Sequence, residues 1–166
     1  MVPVLWTSPE GCTGCAACRQ ICPQQAIALK PDKSGFLLAH IDPEKCVECG
    51  LCAKICPMKS RRPAEAPEPM AFAMKHRSQD IRKQSASGGA FTAILEAFAP
   101  DAVFGAAYCE DFQVRHICAV TPEEIARLRG SKYVQSDVGD TYKQAKELLQ
   151  AGKRVLFTGT PCQIAG

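Results

Sequence analysis

No run of this sequence is apolar enough to cross a bilayer; the best candidate, residues 102–109, falls far short of the ~20 residues that a spanning helix needs. Nor do the first residues lead us to expect a secretory leader. Residues 1–6 are apolar but few, lack a basic flank, and lead straight into a cysteine run. Nor is there a concentrated basic face: 20 Lys and Arg stand against 17 Asp and Glu, and the excess is thinly spread, which argues against a nucleic-acid footprint. The three histidines, His40, His76 and His116, show no metal-ligand spacing and receive no role. These absences lead us to expect a cytoplasmic protein from a reducing, anaerobic setting, without a membrane span or a nucleic-acid partner.

What the sequence holds in abundance is cysteine. Cys12, Cys15, Cys18 and Cys22 precede Pro23, and Cys46, Cys49, Cys52 and Cys56 precede Pro57. Each run reads C-x2-C-x2-C-x3-C-P, the bacterial spacing for 4Fe-4S clusters, in which the fourth cysteine of a run ligates the other run's cluster. The spacing assigns Cys12, Cys15, Cys18 and Cys56 to one 4Fe-4S cluster and Cys46, Cys49, Cys52 and Cys22 to a second. Every cysteine of the second run lies 34 residues after its counterpart, as a duplicated unit would have it. Three thiols two residues apart fit a tight loop around one cube, and the fourth opens a path toward the other. Zinc sites use four ligands in paired knuckles, so eight cysteines in two runs over-supply them. A disulfide framework needs an oxidising compartment to which the sequence shows no route.

Along the chain, residues 2–6 read as a short strand before the first cysteine loop and a short helix near residues 18–22. Residues 27–29 and 36–41 flank Pro31-Asp32-Lys33-Ser34-Gly35, a hairpin signature. Ile21, Ile27, Ile41, Val47, Leu51 and Ile55 are expected to form a dry shell about the clusters. The fold expected for residues 1–60 is thus an α+β ferredoxin-like two-cluster domain. Residues 61–83, with Arg61, Arg62, Pro63, Pro67 and Pro69, form a proline-rich basic linker with little regular structure.

From residue 84 to 166 the pattern turns α/β. Ser87-Gly88-Gly89 precedes a helix whose Phe91, Ile94, Leu95 and Phe98 recur at helical spacing and which Pro100 ends. Residues 102–109 and 112–120 read as strands, Thr121-Pro122-Glu123-Glu124 as a capping box, residues 141–151 as an amphipathic helix closed by Gly152, and residues 154–157 as a buried strand. A strand leading into Thr158-Gly159-Thr160-Pro161-Cys162-Gln163 looks like the middle of an open α/β domain, where ligands sit at strand carboxyl ends. Residues 84–166 are therefore expected to be the first part of a larger, flavin-binding-type α/β domain. On their own chemistry, Gly88 and Gly89 either cap the helix or let backbone N–H groups approach an anion. Lys132 is either a solvated charge or a phosphate partner. Cys109 and Cys118 read as small buried apolar residues, and Cys162, in a turn at a strand end, as functional.

The cysteine runs, then Ser87-Gly88-Gly89, then S-K-Y-V-Q-S at residues 131–136 and G-K-R-V-L-F-T-G-T-P-C-Q-I-A-G at residues 152–166 together resemble the coenzyme F420 hydrogenase/dehydrogenase beta-subunit family. The resemblance implies an iron–sulfur flavoprotein that passes electrons between two 4Fe-4S clusters, FAD and a second partner. That partner is the deazaflavin coenzyme in the founding members and other compounds, including a chlorophyll derivative, in relatives. By position it places Ser87, Gly88, Gly89, Lys132, Tyr133 and Gln135 at or near the flavin. It makes Cys162 the candidate catalytic residue, near the flavin or an extra cluster. It further implies a redox partner protein, whether a ferredoxin, a hydrogenase subunit or a dehydrogenase subunit. The rival reading is a non-enzymatic ferredoxin-like carrier whose later residues only dock a partner oxidoreductase.

Overall fold

The computed structural model describes residues 1–59 and 70–166. The first half of the linker, with Arg61, Arg62 and its three prolines, lies outside them.

The two cysteine loops follow the same backbone course. Gly14 and Ala16, at φ 65° and 63°, lead into α1 (Ala17–Ile21), and Glu48 and Gly50, at φ 56° and 74°, lead into α2 (Leu51–Ile55). Each helix stops on its run's fourth cysteine in an extended conformation, Cys22 at φ −71°, ψ 113° and Cys56 at φ −64°, ψ 116°. The sequence repeat is thus a conformational repeat. Left-handed backbone at non-glycine residues such as Ala16 and Glu48 costs about 1–3 kcal/mol and persists where the surroundings over-determine it.

Between the loops lies the expected hairpin, β1 (Ile27–Pro31) against β2 (Leu37–Ile41), antiparallel with Ile27 opposite Ile41. Its turn is held by Asp32, whose Oδ1 accepts from the Ser34 and Phe36 amides at 2.8 and 2.9 Å. Leu5, Cys18, Ile27, Ala39 and Cys52 form the buried centre of this half. Residues 2–6 are not a strand: Leu5 drops into that centre, and the Trp6 indole, not a backbone ladder, takes the Ala39 carbonyl at 2.6 Å. The apolar shell is also only partial. Ile27 is buried and Ile41 and Ile55 pack on the core, but Ile21, Val47 and Leu51 are exposed.

The linker contains one regular turn, α3 (Gln79–Lys83), because Ser78 caps it by accepting from the Ile81 amide at 3.4 Å and Arg82 and Lys83 sit at its negative end. Beyond it come α4 (Ala90–Phe98), β3 (Ala102–Tyr108), β4 (Val114–Ala119), α5 (Pro122–Leu128), α6 (Thr141–Gln150), β5 (Val155–Phe157) and α7 (Pro161–Ala165). The sheet order is β4-β3-β5, antiparallel across β3–β4 and parallel across β3–β5. The central β3 is buried on both faces. Val103 and Ala107 pack with Leu128, Phe91, Leu95 and Ile125 of α4 and α5, and Ala102 and Phe104 pack with Ala145 and Leu148 of α6. The short β5 lies at the sheet edge and is only half-buried.

The capping box stands as the sequence predicts: the Glu124 amide donates to Thr121 Oγ1 at 3.3 Å and the Thr121 amide to Glu124 Oε2 at 3.1 Å. Helix α6 closes on a Schellman motif, with the Gly152 amide on the Leu149 carbonyl and the Lys153 amide on the Leu148 carbonyl, both at 3.0 Å. Its start is capped from far away. The Tyr142 and Lys143 amides donate to Oε1 of Gln20, on α1, at 3.0 and 3.3 Å. Cysteine domain and sheet domain are thereby tied together.

Two outcomes follow from this packing. Phe104→Ala, at a position without solvent exposure, should cost about 3–5 kcal/mol and lower the urea midpoint with little change in m. Gln20→Ala should cost about 1 kcal/mol by removing the acceptor of the Tyr142 amide, and hydrogen exchange should report it as faster exchange at Tyr142, while Lys143 keeps the Asp140 carbonyl at 3.0 Å.

Candidate functional site: two thiol cavities and an adjoining groove

The two left-handed loops curl their cysteines inward, and each helix end delivers its fourth cysteine to the opposite loop. One concavity, of about 370 Å³, is lined by Cys12, Cys15 and Cys18 of the first run with Cys56 of the second, closed by Leu5, Trp6, Ala39 and Met58. The other, of about 340 Å³, is lined by Cys46, Cys49 and Cys52 with Cys22, among Ile27, Ile41, Val47 and Leu51. Val47 and Leu51, misplaced in the expected shell, thus stand at the rim of the second concavity.

The donor set suits a polynuclear iron–sulfur group. Burial pushes the Cys18 thiol up to about 12, and the neighbouring Cys15, Cys12 and Cys56 add to the rise. Burial likewise raises Cys15, with Cys162 and Cys56 contributing, and Cys52, with Cys46 and Cys49 contributing. Thiolates pooled in an apolar concavity repel one another and lack water, so only a bound cationic centre makes their ionised form favourable. Among the described residues, no three or more His, Cys, Asp and Glu side chains converge on a position for a single ion.

Beside the first thiol cavity, sharing Thr13 with it, runs an open groove. Its larger part encloses about 1140 Å³ and is lined by Thr13 of the first cysteine loop together with Lys132, Gln135, Cys162 and His116. A second part, of about 820 Å³, carries Ser87, Gly88 and Gly89 with Arg129, and shares Leu128, Gly130, Ser131 and Thr158 with the first. The structure therefore gathers Lys132, Gln135 and Cys162 in one part and Ser87, Gly88 and Gly89 in the other. Tyr133 lines neither and is 93% exposed.

Several of these residues have partners already. The Lys132 ammonium donates to the Arg127, Arg129 and Gly130 carbonyls at 2.9, 2.8 and 3.1 Å, closing the end of α5, and burial lowers its pKa. Gly88 is small because the chain passes close: its carbonyl accepts from the His76 amide at 2.6 Å, and a Cβ there would lie 2.5 Å from the Met74 carbonyl. Gly89, at φ 83°, is the N-cap of α4. The Gln135 amide reaches the cysteine domain, accepting from the Leu37 amide at 2.7 Å. Cys162 lies 3.1 Å from Thr160 Oγ1, at the start of α7.

Sequence reasoning missed four side chains here. Arg129 lines the part with Ser87–Gly89; its Nη1 donates to Gln84 Oε1 at 3.3 Å, and its buried Nε has no hydrogen-bond partner. The Tyr142 hydroxyl lies 3.0 Å from the Cys15 carbonyl and 2.8 Å from that of Gln163. His116, on β4, is buried, with Nδ1 at 2.5 Å from Ser136 Oγ and Nε2 at 3.0 Å from the Thr158 carbonyl, and Gln163 Nε2 donates to the same Ser136 at 3.3 Å. The carbonyl fixes the proton on Nε2, and burial lowers the pKa, so the ring is neutral. His116 left a trace in the sequence, since with Val114 it occupies the buried alternate positions of β4, and so did Gln163, which closes a capping box on Thr160. Tyr142 meets residues far off in the chain, for which no local pattern exists.

Comparison with known proteins agrees with this division. Residues 11–60 match the 4Fe-4S dicluster domain, and residues 71–143 match the coenzyme F420 hydrogenase/dehydrogenase, beta subunit N-terminal model. Among solved structures, a chain of the F420-reducing [NiFe] hydrogenase complex from Methanosarcina barkeri is similar at 26% identity, over 54% of this chain and 32% of that one, with a TM-score of 0.43. This chain spans about a third of that relative's length. No curated protein matches significantly. Among the described residues, no helix is long and apolar enough to cross a membrane. With a dicluster domain followed by a beta-subunit N-terminal region, the chain is an iron–sulfur, oxidoreductase-type electron-transfer module related to the coenzyme F420 hydrogenase/dehydrogenase beta subunit.

Proposed function

We propose that the chain relays electrons between an external redox partner protein and an organic acceptor site, with two 4Fe-4S clusters held crosswise by its eight N-terminal cysteines. The observation that carries this reading is the pooling of thiols from both runs in each of two concavities. Cys12, Cys15, Cys18 and Cys56 hold one cluster, and Cys46, Cys49, Cys52 and Cys22 the other. The groove takes FAD, with a deazaflavin-type or other organic compound as the terminal acceptor. When bound, the clusters supply one-electron storage and a flavin supplies exchange of one or two electrons, which joins single-electron carriers to hydride chemistry.

The chain's own residues bind, orient and exclude water. Leu5, Trp6 and Met58 keep the first concavity dry, and Ile27 and Ile41 do so for the second. Arg129, with its unpartnered Nε, is the cation that takes the anionic part of an organic cofactor, with Ser87–Gly89 alongside. Lys132 keeps the groove wall closed by gathering the carbonyls at the end of α5. His116, neutral and bonded on both ring nitrogens, fixes the Thr158 turn that leads to Cys162.

Iron, acid-labile sulfide and flavin content of the anaerobically purified chain tests the proposal. About eight irons and eight sulfides per chain are expected, and Cys56→Ala or Cys22→Ala should each lower iron by about half. One or two zinc ions without sulfide would overturn the reading. The groove carries a pH prediction of its own. Because burial lowers the His116 pKa, the unfolded chain binds a proton that the native ring resists as pH falls below the ordinary value of 6.5, so stability present at neutral pH declines there. His116→Asn should shrink the loss of urea resistance between about pH 7.5 and 5.5.

A further inference from the structure

The two thiol cavities are not equivalent toward the groove. We propose that the Cys12, Cys15, Cys18, Cys56 centre is the one that faces it, and that Gln135 and Tyr142 are positioning residues holding that centre's loop against it. The inference rests on the two-centre reading above.

Among the described residues, the side-chain hydrogen bonds that join residues 70–166 to the cysteine domain fall on Thr13, Cys15, Gln20 and Leu37, in or beside the first loop. Gln135 grips the start of β2 like a strand partner, accepting from the Leu37 amide at 2.7 Å and donating to the Leu37 carbonyl at 3.3 Å, while its Nε2 lies 3.5 Å from the Thr13 carbonyl. Thr13 itself lines the groove next to Gln135 and Cys162. Gly14 makes room for the grip, since a Cβ on it would lie 2.1 Å from Gln135 Nε2 and 2.3 Å from the Leu37 carbonyl. The Tyr142 hydroxyl stands between the Cys15 carbonyl and that of Gln163, the neighbour of Cys162, and its ring packs on Phe157 at 5.3 Å. Gln20, two residues past Cys18, caps α6. In contrast, among the described residues none that lines the second thiol cavity makes a hydrogen bond to residues 70–166. Its rim is open instead, with Cys49 and Val47 exposed.

Hydrogen bonds and dipoles around a cluster's thiolates tune its potential. Gln135 and Tyr142 orient the Thr13 and Cys15 peptides, so their loss acts on one centre and spares the other. The test is a reductive titration of the full chain, followed by electron paramagnetic resonance under anaerobic conditions. Cys18→Ser and Cys52→Ser assign the two signals by altering one ligand of each centre. Tyr142→Phe and Gln135→Leu, each still carrying about eight irons, are expected to shift the midpoint potential and g-values of the signal that Cys18→Ser alters, leaving the other in place. Gln135→Glu keeps the volume and loses the amide donor, and serves if Gln135→Leu loads poorly. A shift of the signal assigned by Cys52→Ser, or no shift in either, overturns the proposal. An unaltered chain that lacks about eight irons overturns the two-centre reading itself.

Discussion

Eight thiols shared between two concavities are the constraint on which the N-terminal half depends. Each concavity draws three cysteines from one loop and the fourth from the end of the other loop's helix, so neither loop can finish its own site. The short helices α1 and α2 are too brief to be stable alone. The left-handed residues before them are locally unfavourable as well. What fixes them is the shared core, in which Cys18 and Cys52 are themselves buried beside Leu5, Ile27 and Ala39. Desolvation of those thiols raises their pKa, so a cationic cage that takes them as thiolates must displace their protons.

The second half depends on a different principle. A strand buried on both faces needs cover on both sides, and β3 obtains it from α4 and α5 on one face and α6 on the other. With the sheet so fixed, the turn at residues 158–162 after β5 and the irregular segment at residues 131–136 line the same groove. The groove's wall is then set by contacts that serve the fold first. Lys132 gathers helix carbonyls, and Gly88 lets its own backbone pass close to Met74.

The halves meet through amides and one phenol. Gln20 caps a helix in the other domain, Gln135 pairs with Leu37, and Tyr142 spans Cys15 and Gln163. Neutral side-chain amides are well suited to the task, because each offers a donor and an acceptor without the desolvation cost of a buried charge. The result orients the two thiol cavities differently. One lies against the groove, and the other has an exposed rim.

Spacing along the chain settled what is local. The cysteine runs, the Asp32 turn, the Thr121 capping box and the Gly152 stop are each written within a few neighbouring residues, whose covalent reach limits them to one geometry. The crosswise expectation came from the C-x2-C-x2-C-x3-C-P spacing, and the structure sets Cys56 beside the first loop and Cys22 beside the second. Only the tertiary structure decided what residues 2–6 do, because a Trp indole and a backbone ladder compete for one carbonyl and the sequence does not rank them. The same holds for Gly88, Tyr142 and Gln20. Their partners lie on other turns of chain or in the other domain, and such meetings are fixed by how the sheet and the thiol core pack, not by any pattern near the residue itself.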